Sequence, residues 1–411
     1  MVFSDFEAET KQAAVEQRVP GAAVAAVWKD SKGEVHRYTH SFGKENVAPD
    51  AKDMTLDSLL WIASCTKLVT AISCLQVVEK GLVTLDQPLS EILPEFKPPI
   101  PVVDFNDANE LVMSSTDKPL TLRALLSHSS GLSYAHPWTS LYAWRQTLPE
   151  SSPYHQSKVG KKDITIDYLH PLIFEPGAPG RWQYGPGIDW AGKVVERVNP
   201  EGLTLGQYMA KYVFAAVGID DATFRPLHDP KFKDRVITRS LRHEDGSLTV
   251  DPMELYPHIE PVDDTGGGGL YSTARQHIKI LESLLLDDGK LLPSHRVEEL
   301  FTPQLPESPN LQKRLAENDD ANAHTLETEI EGTDHVRWNF SLCGLSALNS
   351  VPARSEAGTG LWSGLLNCYW WVDRKRGTAG FYGSQIYPWG DVRAERLHAR
   401  FQKAVFEAAA A

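Results

Sequence analysis

The sequence predicts a mixed α/β fold in which one sheet is assembled from both ends of the chain, with a mostly helical segment inserted between them. Three observations carry this expectation. Strand-like runs occur early, at Ala22–Trp28 and Val35–Phe42, and return late, at Trp338–Leu345, Gly364–Val372 and Gly377–Tyr382. Residues 135–254 consist instead of helical pieces separated by aromatic, proline and glycine punctuation. No internal repeat divides the 411 residues, so length leaves either about two or three domains or one large α/β unit with an insertion. Strands at both ends around a helical middle favour the second arrangement. The expected boundaries are 1–90 with 255–411 for the sheet unit and 91–254 for the helical insert.

Each element has a local reason. Residues 5–18 alternate as an amphipathic helix, which Val19-Pro20-Gly21 breaks. Ala22–Trp28 is a short apolar strand, and Val35–Phe42 reads as its hairpin partner across Lys29–Gly33. Leu68, Ile72 and Leu75 recur at i, i+4, i+7, so a helix follows Ser64 and stops at Gly81. A proline-rich turn region runs to Pro101, and Thr121–Leu126 is a short helix leading into Ser127-His128-Ser129-Ser130-Gly131-Leu132. Further helices are expected at Ile188–Val198, Leu205–Val217 and Ala274–Leu286, and a closing helix at 391–409. The polar, acidic stretch 307–333 reads as a surface loop.

Composition narrows the function classes. Hydrophobic content of 42% and charged content of 23% are ordinary for a globular chain. A net charge of -13 disfavours nucleic acid or an anionic membrane as the main partner. The first residues lack a basic and apolar leader pattern, and no apolar run approaches the roughly 18 residues of a membrane span. Cys65, Cys74, Cys343 and Cys368 show neither CxxC nor a disulfide-framework spacing. A cytoplasmic protein with reduced thiols is therefore expected, with no metal and no cofactor.

The chemistry centres on Ser64-Cys65-Thr66-Lys67. On a helix, residues i and i+3 share a face, so the Ser64 hydroxyl lies beside the Lys67 amine. A serine alcohol needs a group that takes its proton, and Ser–Lys pairs are one known arrangement. The pair alone carries little weight, because a chain of this length contains about one Ser-x-x-Lys by chance. Its apolar flanks, Ile62-Ala63 and Leu68-Val69, suit a partly buried pair. Cys65 adjoins the serine and reads as a buried helix cysteine. His128, at the end of the Thr121–Leu126 helix, is either a backbone-bonding histidine or a base, the former favoured. Tyr184 lies on a glycine-rich turn, Tyr184-Gly185-Pro186-Gly187, where a phenol reaches a cleft. Gly266–Gly269 reads as a tight backbone approach or a turn rather than a phosphate-binding loop, since it lacks the lysine and spacing of such loops. There is no Gly-x-Ser-x-Gly and no His-Glu-x-x-His.

Ser64-x-x-Lys67, Tyr184 in its Tyr-Gly-Pro turn and Trp362-Ser363-Gly364 occur in the order and rough spacing of three motifs. In this the chain resembles the serine β-lactamase and D-peptidase clan. Leu125–Leu132, the glycine run before Leu270-Tyr271-Ser272-Thr273, Asp189–Lys193 and Pro388-Trp389 extend the resemblance over nearly the whole chain. It is most similar to the class C-like family VIII carboxylesterases and to fungal lovastatin-type polyketide acyltransferases and esterases. The resemblance implies a β-lactamase-like fold: a central antiparallel sheet flanked by helices, a helical subdomain, and the site between them. It implies that Ser64 is acylated, that Lys67 and Tyr184 share the proton, and that the backbone N–H groups of Ser64 and Leu365 form the oxyanion hole. It offers Tyr134, Trp362, Ser363, Gly364 and Trp389 for substrate binding; core packing is the alternative for the aromatic three. It implies a small-molecule ester or thioester donor and an alcohol acceptor.

Three departures carry information. Trp362 stands where the clan's peptidases and lactamases keep a lysine that attracts a carboxylate. Tyr184-Gly185-Pro186 lacks the asparagine of their Tyr-x-Asn motif. Trp61 stands where the statin acyltransferases carry an arginine. The first two favour a neutral or apolar ester over β-lactams and D-peptides, and the third separates the chain from statins. The expected function is a serine acyltransferase/esterase of secondary metabolism. A plain short-chain carboxylesterase, a β-lactamase or D-peptidase, and a non-catalytic binding protein are its alternatives.

Overall fold

The computed structural model describes residues 2–149, 163–251, 261–306, 336–350 and 355–411, with isolated positions at 152 and between 308 and 315. The stretch expected to be a surface loop, 307–333, lies almost wholly outside the described residues.

A seven-stranded antiparallel sheet organises the molecule. Its order is Trp338–Phe340, Leu345–Ala347, Gly360–Gly364, Cys368–Asp373, Thr378–Gly383, Gly21–Lys29 and Val35–Gly43. Both chain ends thus meet in one sheet, joined where Ala23 pairs with Gly383 and Trp28 with Thr378. The strand Gly21–Lys29 is buried from Gly21 to Trp28, because helices cover both its faces, which is why its sequence is continuously apolar. Helix Ala274–Leu286 packs on one face, where His277 meets Phe381. The closing helix Val392–Ala410 packs on the other, where Phe401 and Phe406 meet Trp371 and Phe401 meets Phe6 of the first helix. Truncating one such buried ring costs about 3–5 kcal/mol.

The sequence-predicted strands were right in place but not in extent. Gly364–Val372 is not one strand: Gly364 ends one, Cys368 begins the next, and the turn between them needs a left-handed residue, Asn367 at φ 55°. Trp338–Leu345 likewise divides into two strands. The first helix ends at Val15, earlier than 18, as Gln17 turns left-handed at φ 53°. The segment 91–254 holds short hairpins, Ile100–Phe105 with Leu111–Thr116 and Ser240–Arg242 with Leu248–Val250, as well as helices.

Three features position the site. Helix Thr66–Glu79 is buried nearly all round, the signature of a central helix. It packs against helix Gly187–Val198, which follows directly on the Tyr184 turn. A three-stranded sheet then ties the segment before Ser64 to the segment after the glycine run, with Leu60 opposite Ser272 and Trp61 opposite Tyr271. Among the described residues no helix is long and apolar enough to cross a membrane.

Candidate active site

Ser64 lies in a single 3₁₀ turn, Ala63–Cys65, at the entrance to helix Thr66–Glu79. Ala63 has φ 45°, a left-handed conformation that costs a non-glycine residue about 1–3 kcal/mol. The turn is held on several sides: the Thr66 hydroxyl donates to the Ala63 carbonyl (2.6 Å), and the Leu270 N–H donates to the Thr66 hydroxyl (3.1 Å). Gln385 brackets Trp61, accepting from its N–H and donating to its carbonyl.

Lys67 and Tyr184 converge on the serine. Lys67 Nζ lies 3.1 Å from Ser64 Oγ, and the Tyr184 hydroxyl lies 2.7 Å from the same oxygen. Lys67 Nζ also sits 4.7 Å from the centre of the Tyr184 ring. The lysine is 1% exposed and the tyrosine 7%, whereas Ser64 is only partly covered. The Ser64 hydroxyl is thus the least covered of the three, with an amine and a phenol beside it out of bulk water. Serine proton transfer requires this geometry.

The tyrosine turn is held by His128. Burial, reinforced by the charge of Lys67, holds this imidazole well below its ordinary range, so it is neutral. The Gly185 N–H donates to its Nδ1 at 3.3 Å, which leaves the proton on Nε2. Its carbonyl accepts from the Gln183 N–H at 3.0 Å, so His128 braces both neighbours of Tyr184. This is the backbone-bonding role favoured from sequence.

The glycine run turns out to be the surface against which Lys67 is held. Lys67 Nζ donates to the Gly267 carbonyl at 2.5 Å. On either side, Thr70 Oγ1 donates to the Gly266 carbonyl (2.8 Å) and Trp61 Nε1 to the Gly268 carbonyl (2.6 Å). The Gly267 N–H donates to Asp189 Oδ1 at 2.9 Å, and a Cβ at Gly267 would lie 2.3 Å from Asp189 Oδ2. Burial, together with the nearby Asp189 carboxylate, pushes the Tyr134 phenol well above its ordinary range. Asp189 belongs to the stretch Asp189–Lys193 that carries the family resemblance, and its contact with the glycine run, 78 residues away, has no local sequence signal.

The third motif approaches from the sheet. Gly364 packs so closely on the turn that a Cβ there would lie 2.3 Å from the Ile62 carbonyl oxygen, so only glycine fits. This brings the Gly364–Leu365 corner beside Ser64, and Leu365 is 37% exposed. Trp362 and Ser363 are each only 1% exposed. Trp362 therefore does not present an open aromatic wall; it packs between Tyr184 (5.4 Å) and Phe340 (5.2 Å). Ser363 Oγ accepts from Trp389 Nε1 at 2.9 Å, which joins two of the sequence candidates. Tyr134 and Trp389 are partly exposed, and Tyr134 stands edge-on to Tyr184 at 5.5 Å.

Cys65 is not a competing nucleophile. It is fully buried with its thiol aimed at the Cys368 carbonyl, and burial raises its pKa well above the ordinary thiol range. Among the described residues one exposed cluster, Asp30, Glu34 and His36, has metal-ligand spacing, on a surface turn with no link to Ser64.

Sheet, flanking helices and the Ser–Lys–Tyr cluster fit one family: the chain belongs to the β-lactamase family, whose model matches residues 6–404. Its relatives are more particular than that name. It is 32% identical to the monacolin J acid methylbutanoyltransferase of Aspergillus terreus, over 97% of this chain and 94% of that protein. It is 34% identical to a lovastatin esterase of Penicillium rubens, over 90% of each chain. Its backbone superposes on unliganded simvastatin synthase from Aspergillus terreus with a TM-score of 0.85 at 30% identity, covering 99% of this chain and 98% of that one.

Proposed function

We propose that this protein is a serine acyltransferase/esterase that carries the acyl group of a small-molecule ester or thioester on Ser64. The observation that supports it most is the double contact on Ser64 Oγ, 3.1 Å from Lys67 Nζ and 2.7 Å from the Tyr184 hydroxyl. Ser64 Oγ attacks the carbonyl carbon while its proton passes to the Lys67–Tyr184 pair. The carbonyl oxygen gains negative charge, which the backbone N–H groups of Ser64 and Leu365 receive; such donors often supply the largest single catalytic term. The tetrahedral species expels the alcohol or thiol, which takes the proton, and leaves Ser64 acylated. An acceptor alcohol, or water, then gives its proton to the same pair and attacks the ester carbon; as the bond to Ser64 Oγ breaks, the pair returns that proton to the serine oxygen.

The relatives favour a polyketide-like substrate of secondary metabolism, since their names include transfer of a methylbutanoyl group to monacolin J acid and cleavage of lovastatin. Trp362 in place of a lysine favours a neutral ester over a carboxylate-bearing one. Tyr134 and Trp389 are the candidates to touch it, and their partial exposure supports this reading. In this reading residues 1–90 and 255–411 form the sheet unit, and 91–254 is the insert that brings Tyr134 and Tyr184 over Ser64.

A second reading, simple hydrolysis of short-chain esters, is supported by the esterase among the relatives. Partition of the acyl-enzyme decides between them. With a p-nitrophenyl ester as donor and a graded series of alcohols as acceptors, transfer predicts new ester product and faster nitrophenol release with particular alcohols. Hydrolysis predicts free acid alone at every alcohol concentration. Turnover of a chromogenic cephalosporin at a rate rivalling ester cleavage would overturn both.

A further inference from the structure

We infer that Asp189 is a positioning residue for Lys67, acting through the glycine ribbon Gly266–Gly268; this rests on the acyl-transfer reading above. Lysine has a long flexible stem, and one contact with Ser64 does not fix its amine. The second contact, to the Gly267 carbonyl at 2.5 Å, does so only if that carbonyl is itself fixed. Glycines supply no side chain to hold the ribbon, and their backbone has the widest conformational freedom of any residue.

The ribbon is fixed from outside. The peptide unit joining Gly266 and Gly267 is held at both ends: its carbonyl accepts from Thr70 at 2.8 Å and its N–H donates to Asp189 at 2.9 Å. The next carbonyl along receives Lys67, and the one after it receives Trp61 Nε1 at 2.6 Å. Thr70 and Trp61 belong to the segment around Ser64, so they tie the ribbon to the nucleophile's own helix. Asp189 ties it elsewhere. It lies in the first turn of helix Gly187–Val198, five residues after Tyr184, and is 2% exposed. One carboxylate therefore couples the segment carrying Tyr184 to the acceptor that aims Lys67, and so sets the spacing of the two groups that share the serine proton. The close packing of Gly267 on Asp189, with no room for a Cβ, is what such a coupling demands.

The test uses the full chain with a p-nitrophenyl butyrate donor, and rates are expressed per active site titrated with a fluorophosphonate. Asp189→Ala removes the anchor, Asp189→Asn keeps an acceptor for the Gly267 N–H but removes the charge, and Thr70→Val removes the bond at the other end of the same peptide without changing side-chain shape. Displacing a catalytic group by about an ångström costs up to roughly 100-fold. The expected result is a fall in kcat of about tenfold or more for Asp189→Ala with KM within about twofold, most of it restored in Asp189→Asn, and a several-fold fall of the same kind in Thr70→Val. A kcat for Asp189→Ala equal to wild type, or an Asp189→Asn as impaired as Asp189→Ala, would overturn the anchoring role. Where Asp189→Ala does not fold, Thr70→Val decides alone: lowered kcat at constant KM supports the role, and unchanged kcat overturns it. Wild-type protein that turns over the ester without being labelled at Ser64 would remove the acyl-transfer reading and this inference with it, an outcome distinct from the others.

Discussion

Replacing Tyr184 by phenylalanine isolates a single oxygen. The ring would keep its contacts with Tyr134 (5.5 Å), Trp362 (5.4 Å) and His128 (4.8 Å), so the fold around the site stays packed. What is lost is the hydroxyl 2.7 Å from Ser64 Oγ, leaving Lys67 Nζ at 3.1 Å as the one remaining proton partner. A general acid–base group contributes roughly 10²–10⁴-fold, equivalent to about 2.7–5.5 kcal/mol of transition-state stabilisation. The cost to folding is that of one hydrogen bond, about 1 kcal/mol. Steady-state cleavage of p-nitrophenyl butyrate by Tyr184→Phe should therefore lose at least about 100-fold in kcat/KM, mostly through kcat, while the near-ultraviolet circular dichroism matches wild type. A loss below about threefold in the folded variant would mean that the phenol lies outside the proton path.

Other consequences concern stability. Arg239 and Asp251 form a buried pair (2.6 Å, side chains 1% and 4% exposed), so Arg239→Met strands a buried carboxylate and should cost about 3–5 kcal/mol in chemical denaturation, with most of it recovered by adding Asp251→Leu. His277 and His398 are buried, and burial pushes each down to about 3. Below pH 6.5 the unfolded chain binds protons that these folded imidazoles refuse, so stability is full above that pH and falls toward pH 3. At pH 5 each should contribute a loss of about 2 kcal/mol, and His277→Leu should lessen the fall measured by urea titration at pH 5 relative to pH 7. The four cysteines are buried, with Cys343 and Cys368 pushed up to about 12, so Ellman's reagent should react with none in the native protein and with four after unfolding.

The three side chains that meet at Ser64 were legible because the proposed chemistry constrains their spacing locally. Ser64 and Lys67 are three residues apart, and Tyr184 announces itself by its glycine-rich turn. The supporting contacts were not legible, since they join residues far apart in the chain: Lys67 to Gly267 across 200 residues, Asp189 to Gly267 across 78. The glycine run reads from sequence as a close backbone approach or a turn, and it is both, but composition does not say which residues approach it. Trp362 shows the converse limit. Its position in the motif suggested an aromatic wall, yet Phe340 and Tyr184 cover it, and neither neighbour is near it in sequence. In the sheet, periodicity found the strands but ran through Leu365–Asn367, because a left-handed asparagine has no hydrophobic signature.

The most direct measurement is the mass of the protein caught during turnover. Mixed with a p-nitrophenyl ester and quenched in acid, the wild-type chain should gain the mass of one acyl group. Peptide mapping should place it on Ser64, and Ser64→Ala should show neither adduct nor turnover. An adduct on another residue, or ester turnover retained by folded Ser64→Ala, would contradict an acyl-enzyme at Ser64.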